Sequence, residues 1–148
     1  MKSPLLTTQP NSLELDIVLL MTRLVMGAVF IIMGWPKVQQ PISWMGPGSG
    51  FPGFFQLLAA IAEFIGGIAL VIGFLTRIAA FGIACTMVVA TWSLVFSWHL
   101  PFIDMQGGSA YYPNLLLLVS ALLLMVTSAG RISLDRLLFG VNIKKTVI

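Results

Sequence analysis

Four long apolar segments, joined by short connections, constrain this chain more than any other feature of its sequence. They cover residues 15–35, 54–75, 78–98 and 111–129. Each has roughly the 20 residues that an α-helix needs to cross a bilayer, and lipid tolerates only helices and closed barrels. Charged residues make up 9% of the chain, far below the share of about 25% that is usual in soluble domains. The sequence therefore predicts an all-α, integral membrane four-helix bundle.

The basic residues predict how this bundle lies in the membrane. With four spans, both termini and the turn at Thr76–Arg77 share one side, and that side holds six Lys and Arg residues against Lys37 alone on the other. Because cytoplasmic loops are enriched in Lys and Arg, both termini are predicted to be cytoplasmic. The predicted organisation is an N-terminal tail (1–13), a transmembrane domain (14–139) and a basic tail (140–148).

Two charged residues stand deep inside the apolar segments. Arg23 lies in the first segment, and Glu63 lies in the middle of the second. Counted from the outer ends of two antiparallel helices, their depths differ by about 4.5 Å. An unpaired charge at the membrane centre costs about 2.5–3.5 kcal/mol, so the sequence predicts that Arg23 and Glu63 pair. Such a pair either fixes the helix register or forms a polar ligand site or proton relay.

Residues near the outer face are open to more than one interpretation. Lys37 either extends to the membrane surface or contacts a ligand headgroup. The Trp and Tyr residues there, including Trp35 and Trp44, form either an interfacial belt or the lining of an outward pocket. His99 and Asp104 have no second His or Cys nearby, which makes a weak metal site, and no metal is predicted.

Small residues and helix caps give further local predictions. Stripes of mostly small residues at spacings of three and four along the first two segments, with glycines seven apart, predict close helix packing in lipid. They include Gly27, Gly34, Gly66 and Gly73. Thr76 is predicted to cap the third helix, Gly130 to end the fourth, and Ser133 to cap a short surface helix that follows.

The sequence contains no recognisable cofactor or catalytic motif. Neither the nucleotide-binding glycine motifs nor the hydrolase and metalloprotease signatures occur. A single histidine excludes a bis-His haem within one chain, and a single cysteine excludes an internal disulfide. The scattered basic residues form no nucleic-acid-binding patch. No intrinsic cofactor and no nucleic-acid partner are predicted, and the sequence leaves open whether the protein is an enzyme.

The chain resembles the DoxX family of small four-helix bacterial membrane proteins over about residues 14–139. The resemblance rests on RLVMGAVFIIMGWPKV, AAIAEFIGGIALVIGFLTRIAA and GRISLD. The family positions that it singles out are Arg23, Gly27, Gly34, Lys37, Glu63, Gly66, Gly67, Gly73, Arg77 and Asp135. Two features depart from the family: its Gly-Pro-Gly is Ser128-Ala129-Gly130 here, and YYPN lacks the acidic residue that many members carry near the start of the fourth helix.

The resemblance implies a multi-pass protein of the bacterial inner membrane that serves as the membrane subunit of a quinone-linked oxidoreductase or oxidative-stress complex. Arg23, Glu63, Lys37 and Trp35 would then form a polar headgroup site, with a quinone as the suggested cofactor. The partner would be a soluble or membrane redox protein, or a second copy of the chain. A non-enzymatic scaffold or assembly factor is the alternative. A small-molecule carrier is a third, although the segments lack the broken helices and paired halves of transporters.

Overall fold

The fold is described from a computed structural model that places residues 13–47 and 49–139. Within these residues the chain is helical and contains no strand. The helices are α1 (Leu13–Gln39), α2 (Gly53–Ile72), α3 (Thr76–Phe96), α4 (Tyr112–Thr127) and α5 (Leu134–Phe139). The predicted all-α bundle of four main helices is confirmed. The predicted tails lie outside the described residues, except for Leu13, and their cytoplasmic position stays a prediction.

Three of the four main helices have the length of membrane helices, and all four are apolar. α1, α2 and α3 are long and apolar enough to cross a membrane, and α4 is a shorter apolar helix of 16 residues. At 1.5 Å per residue, α4 is about 24 Å long. Large apolar side chains such as Ile32, Phe81 and Val126 are exposed on the outside of the bundle. A lipid environment accommodates this surface, whereas water would not.

Consecutive helices run in opposite directions and pack in chain order. α1 packs on α2, α2 on α3 and α3 on α4, whereas α1 and α4 touch only slightly. We call the end that carries the connections after α1 and α3 the loop end, and the opposite end the turn end. The core between the helices is apolar and draws on all four of them. Its buried members are Leu19, Met26, Phe30, Leu70, Ala80, Ile83, Ala84, Met87, Ala121 and Leu124.

Glycines bring α1 and α2 into backbone contact. A Cβ atom added to Gly34 would lie 2.7 Å from the Phe64 backbone nitrogen, and one added to Gly67 would lie 2.9 Å from that of Ile31. A Cβ on Gly27 would lie 2.8 Å from the Gly67 carbonyl oxygen. Larger residues would push the helices apart, so these glycines fix the register of α1 against α2. The predicted close packing is therefore present at these positions.

Gly66 faces the other neighbour of α2. A Cβ atom there would lie 3.3 Å from the Ile83 side chain of α3. The two adjacent glycines, Gly66 and Gly67, thus serve different helix contacts, and α2 packs closely on both sides.

The register of α1 against α2 separates Arg23 from Glu63. Gly34 packs against Phe64, the neighbour of Glu63, and Arg23 lies a full eleven residues before Gly34 in the chain. That stretch of helix rises about 16 Å, which is more than an Arg side chain can span. The predicted Arg23–Glu63 pair is wrong. The prediction set Trp35 level with Phe54, whereas α1 continues to Gln39 and its Gly34 already meets the middle of α2.

The fourth helix ends before its predicted stop. α4 finishes at Thr127, and Ser128 follows with φ 71° and ψ −171°. Gly130, predicted to end the helix, also has a positive φ of 74° but lies beyond this break. The predicted cap of α5 is confirmed, because the Arg136 backbone N–H donates to Ser133 Oγ at 3.3 Å.

Candidate functional site

An ion pair inside the bundle joins Lys37, near the end of α1, to Glu63 in the middle of α2. Lys37 Nζ donates to Glu63 Oε1 at 2.7 Å and to Oε2 at 2.6 Å. The side chain of Glu63 is 3% exposed and that of Lys37 is 17% exposed. The carboxylate is therefore enclosed by protein, while the Lys37 side chain keeps partial access to the surroundings.

Helical spacing directs Lys37 towards Glu63. Lys37 follows Gly34 by three residues, so both lie on the same face of α1. Gly34 contacts the backbone of Phe64, the residue after Glu63. The close approach of the two helices at Gly34 therefore brings the Lys37 side chain within hydrogen-bonding reach of the carboxylate.

Trp44, in the connection after α1, lies over the ammonium group. Lys37 Nζ is 4.5 Å from the centroid of the Trp44 ring, within the range of a cation–π interaction. The indole is held in place because Trp44 Nε1 donates to the Gln56 backbone carbonyl at 3.1 Å. This connection therefore packs against α2 and covers the ion pair from the loop end.

Gln56, in the first turn of α2, anchors the same connection through its side chain. Gln56 Oε1 accepts a hydrogen bond from the Met45 backbone N–H at 3.1 Å, and Gln56 Nε2 donates to the Phe51 carbonyl at 2.9 Å. The residue is 5% exposed. Gln56 was not among the residues predicted from the sequence, although its spacing of seven residues from Glu63 places both polar groups on one face of α2. That spacing was the available signal.

Two residues predicted for the headgroup site lie elsewhere. Trp35 is 57% exposed, and its ring packs against Phe64 with centroids 5.6 Å apart, so it points away from the ion pair. Arg23 lies near the turn end. We therefore define the loop-end site as Lys37, Glu63, Trp44 and Gln56. This set keeps two of the predicted residues and adds two.

The loop-end site combines a hydrogen-bond donor with a buried carboxylate. A Lys ammonium group has three N–H donors. Two of those of Lys37 are used by the two carboxylate oxygens of Glu63. One donor remains for an acceptor outside the pair, such as a carbonyl oxygen. The geometry is suited to binding a small polar group that accepts a hydrogen bond.

Arg23 belongs to a second polar cluster, at the turn end. Its side chain is fully buried, and Nη2 donates to the Ile132 carbonyl. Gly73, with φ 73°, makes room for the guanidinium, because a Cβ atom there would overlap Arg23 Nη1. Within the described part of the chain, Nε and Nη1 of Arg23 have no hydrogen-bond partner. The contact to the Ile132 carbonyl ties α1 to the segment that follows α4.

Asp135 caps α3 from the same segment. Its two carboxylate oxygens accept from the backbone N–H groups of Leu75 and Thr76 at 2.6 and 2.9 Å. Its own N–H donates to the Gly73 carbonyl at 2.9 Å. The Thr76 side chain forms no cap, so the predicted Thr76 cap is wrong. A carboxylate from a distant part of the chain occupies the N-terminus of the helix instead.

Asp16 completes this cluster at the start of α1. Asp16 Oδ1 accepts from the Arg131 backbone N–H at 2.9 Å, and Asp16 Oδ2 lies 3.4 Å from Arg131 Nε. Gly130 lies against this carboxylate. We call residues 130–135, with these contacts, the turn-end clasp. Since α1 and α4 hardly touch, the clasp is the main link between the end of α4 and the start of α1.

Arg77 and the second connection lie outside both clusters. Arg77 Nη2 donates to the Val126 carbonyl of α4 at 3.4 Å, at the turn end. In the connection after α3, His99 Nδ1 lies 3.3 Å from the Val95 carbonyl oxygen, and Asp104 accepts from the Gln106 N–H. Residues 13–47 and 49–139 bring together no group of three metal-ligating side chains.

Comparison with known proteins identifies one family and two relatives. The sequence model of the DoxX family matches residues 18–100. Inner membrane protein YqjF of Escherichia coli (strain K12) is 35% identical over 130 residues, which cover 83% of this chain and 93% of that protein. Inner membrane protein YphA of the same organism is 30% identical over 131 residues, which cover 81% and 89%. No solved structure matches the chain.

Proposed function

This chain belongs to the DoxX family, and from that premise we propose that it is the membrane subunit of a quinone-linked oxidoreductase or oxidative-stress complex. It is a multi-pass protein of the inner membrane, as its membrane-length helices and the names of both relatives indicate. In this proposal the loop-end site receives the polar headgroup of the quinone. The turn-end clasp, whose charged groups bind backbone atoms, serves the fold.

The observation that carries the proposal is the buried Lys37–Glu63 pair. Replacing a buried ion pair by apolar residues is often neutral or stabilising, so stability alone gives little reason to keep one. Ionisable residues inside membrane helices commonly mark ligand or proton pathways. Lys37 also keeps a spare N–H donor, and the Trp44 ring lies over its ammonium group. A contact that only fixes helix register requires neither feature.

The residues of the loop-end site fit a quinone headgroup. A quinone, when bound, supplies two-electron redox chemistry coupled to protons. The spare N–H of Lys37 suits a carbonyl oxygen, which accepts but does not donate. The Trp44 indole offers a flat apolar surface next to the ammonium group, and aromatic rings favour stacked or edge contacts.

Each residue of the site has a distinct role in this proposal. Lys37 binds and orients the headgroup through its ammonium N–H. Glu63 passes a proton from a carboxylate oxygen to the bound headgroup, or takes one back from it. Trp44 excludes water from the pair. None of these residues transfers electrons, so a redox partner is required, either a soluble or membrane dehydrogenase.

The experiment compares Glu63→Gln with Glu14→Gln. Glu14 is an exposed carboxylate in the first turn of α1 and serves as the matched control. Each tagged variant is restored to native membranes that lack the wild-type chain. Insertion is checked, quinone-reductase activity is measured, and partners are identified by mass spectrometry after purification in mild detergent. We expect Glu63→Gln to insert normally and to lose the quinone-linked activity, whereas Glu14→Gln keeps it.

The opposite result has a defined meaning. Full quinone-linked activity in a folded Glu63→Gln variant would reject a role of the carboxylate in the redox function. Recovery of the chain without any dehydrogenase would reject the redox partner. If another membrane protein were recovered instead, a scaffold or assembly factor would replace the proposal.

A further inference from the structure

We infer that Gln56 is a positioning residue for the loop-end site: it holds Trp44 over Lys37 and so controls access to the ion pair. The inference rests on the proposed function only in treating that pair as the functional centre. Gln56 contacts neither charge in the pair. It acts through residues 40–47, which we call the cover.

The hydrogen bonds around Gln56 fix the cover at two adjacent residues, Trp44 and Met45. The Gln56 backbone carbonyl receives the Trp44 indole N–H, and the Gln56 side chain receives the Met45 backbone N–H. Its Nε2 atom binds Phe51, at the far end of the same connection. A single buried amide thus binds the middle and the far end of a connection that is rich in Pro and Gly.

Burial makes these bonds hard to replace. An amide that loses its partners inside a protein is left unsatisfied, and this costs more than a typical hydrogen bond gains. Because Gln56 is 5% exposed, water has little access to its side chain while the cover is closed. The closed arrangement is therefore favoured as a unit, and a change of the Gln56 side chain affects the contacts at Met45 and Phe51 together.

An open depression of about 490 Å³ adjoins the cover. Ser43, Ser49 and Phe51 line it, and Gln56 forms part of its wall, but Lys37 and Glu63 do not. Gln56 is thus shared by the wall of this depression and by the hydrogen bonds that hold the cover. Loss of those bonds would loosen the cover where it adjoins the depression.

The experiment measures how readily Lys37 is acylated by sulfosuccinimidyl acetate, a reagent that does not cross membranes. Lys37 is the only lysine between residues 3 and 143, so mass spectrometry of its peptide reports on this site alone. The full chain is reconstituted in nanodiscs, which expose both ends. We expect slow acylation of the wild-type protein, and a several-fold faster reaction in Gln56→Leu and in Trp44→Leu. Gln56→Leu keeps the side-chain size and removes both side-chain hydrogen bonds.

Two further variants control the measurement. Gln106→Leu makes the same change at an exposed position of the other connection and should acylate like the wild type. Gln56→Glu keeps an acceptor for Met45 but loses the donor to Phe51, so its rate should lie between those of the wild type and Gln56→Leu. If Gln56→Leu fails to fold, as judged by circular dichroism, Gln56→Glu decides the question.

Hydrogen exchange of the cover peptide provides a second measurement on the same variants. Faster exchange together with faster acylation supports the inference. Faster exchange with unchanged acylation overturns it, because the cover would then open without exposing Lys37. Unchanged acylation in a folded Gln56→Leu variant also overturns it. The acylation and exchange measurements use no quinone. If they support the inference while the Glu63→Gln variant keeps its quinone-linked activity, the proposed function is rejected and this inference remains.

Discussion

Lys37 Nζ lies 2.6 Å from Glu63 Oε2. Through this contact a lysine near the end of α1 balances the charge of a carboxylate in the middle of α2. The lysine comes from a position that the sequence places near the membrane surface. Its four-carbon stem carries the charge back into the bundle, where the carboxylate is enclosed. The charge on the lysine is therefore used inside the protein rather than at the surface.

Removal of one partner of this pair should be more damaging than removal of both. Lys37→Met leaves a buried carboxylate without its cation, and we expect a loss of about 3 kcal/mol in the free energy of unfolding. The double variant Lys37→Met, Glu63→Leu should recover most of this loss. Reversible unfolding in detergent, followed by circular dichroism, measures both. A double variant as unstable as the sum of the single variants would contradict the prediction.

Gly34→Ala should destabilise the contact between α1 and α2. The new Cβ atom would lie 2.7 Å from the Phe64 backbone nitrogen, so the helices must separate, at a cost of about 1–3 kcal/mol. Gly82→Ala is the matched control, because its Cβ atom would make an ordinary contact of 3.5 Å with Ala62. Thermal unfolding compares the two. Equal stability of both variants would argue against the register described for α1 and α2.

Asp135→Ala should weaken the start of α3. The carboxylate accepts the N–H groups of Leu75 and Thr76, and loss of such a cap costs about 0.5–2 kcal/mol. Asp135→Asn keeps one acceptor oxygen and should lose less. Amide hydrogen exchange at Leu75 and Thr76 is the direct measurement, and protection that persists in Asp135→Ala would show that the cap is unimportant.

Ser128→Gly should stabilise the protein. Ser128 has φ 71° and ψ −171°, a region that is essentially restricted to glycine and costs other residues about 1–3 kcal/mol. Ser120→Gly, in the middle of α4, is the control and should lower stability by roughly 0.5–1 kcal/mol. A higher unfolding temperature for Ser128→Gly and a lower one for Ser120→Gly are expected. The reverse order would be inconsistent with this backbone geometry.

Several contacts could not be read from the sequence because they join distant parts of the chain. Asp135 replaces Thr76 as the cap of α3, and Arg23 binds the Ile132 carbonyl instead of Glu63. A local pattern identifies which N–H groups or charges need a partner. It does not say which of several groups will reach them, since that depends on how helix ends are brought together.

The sequence by itself determined the four apolar helices, their membrane setting and the positions of the charges within them. Composition and hydrophobic length decide these features, because backbone groups in lipid must be satisfied within a helix. Only the tertiary structure decided that Glu63 pairs with Lys37 and that Gln56 and Trp44 enclose the pair. The physical reason is the register at Gly34, where contact with Phe64 sets α1 against α2 and moves Arg23 to the other end of the bundle.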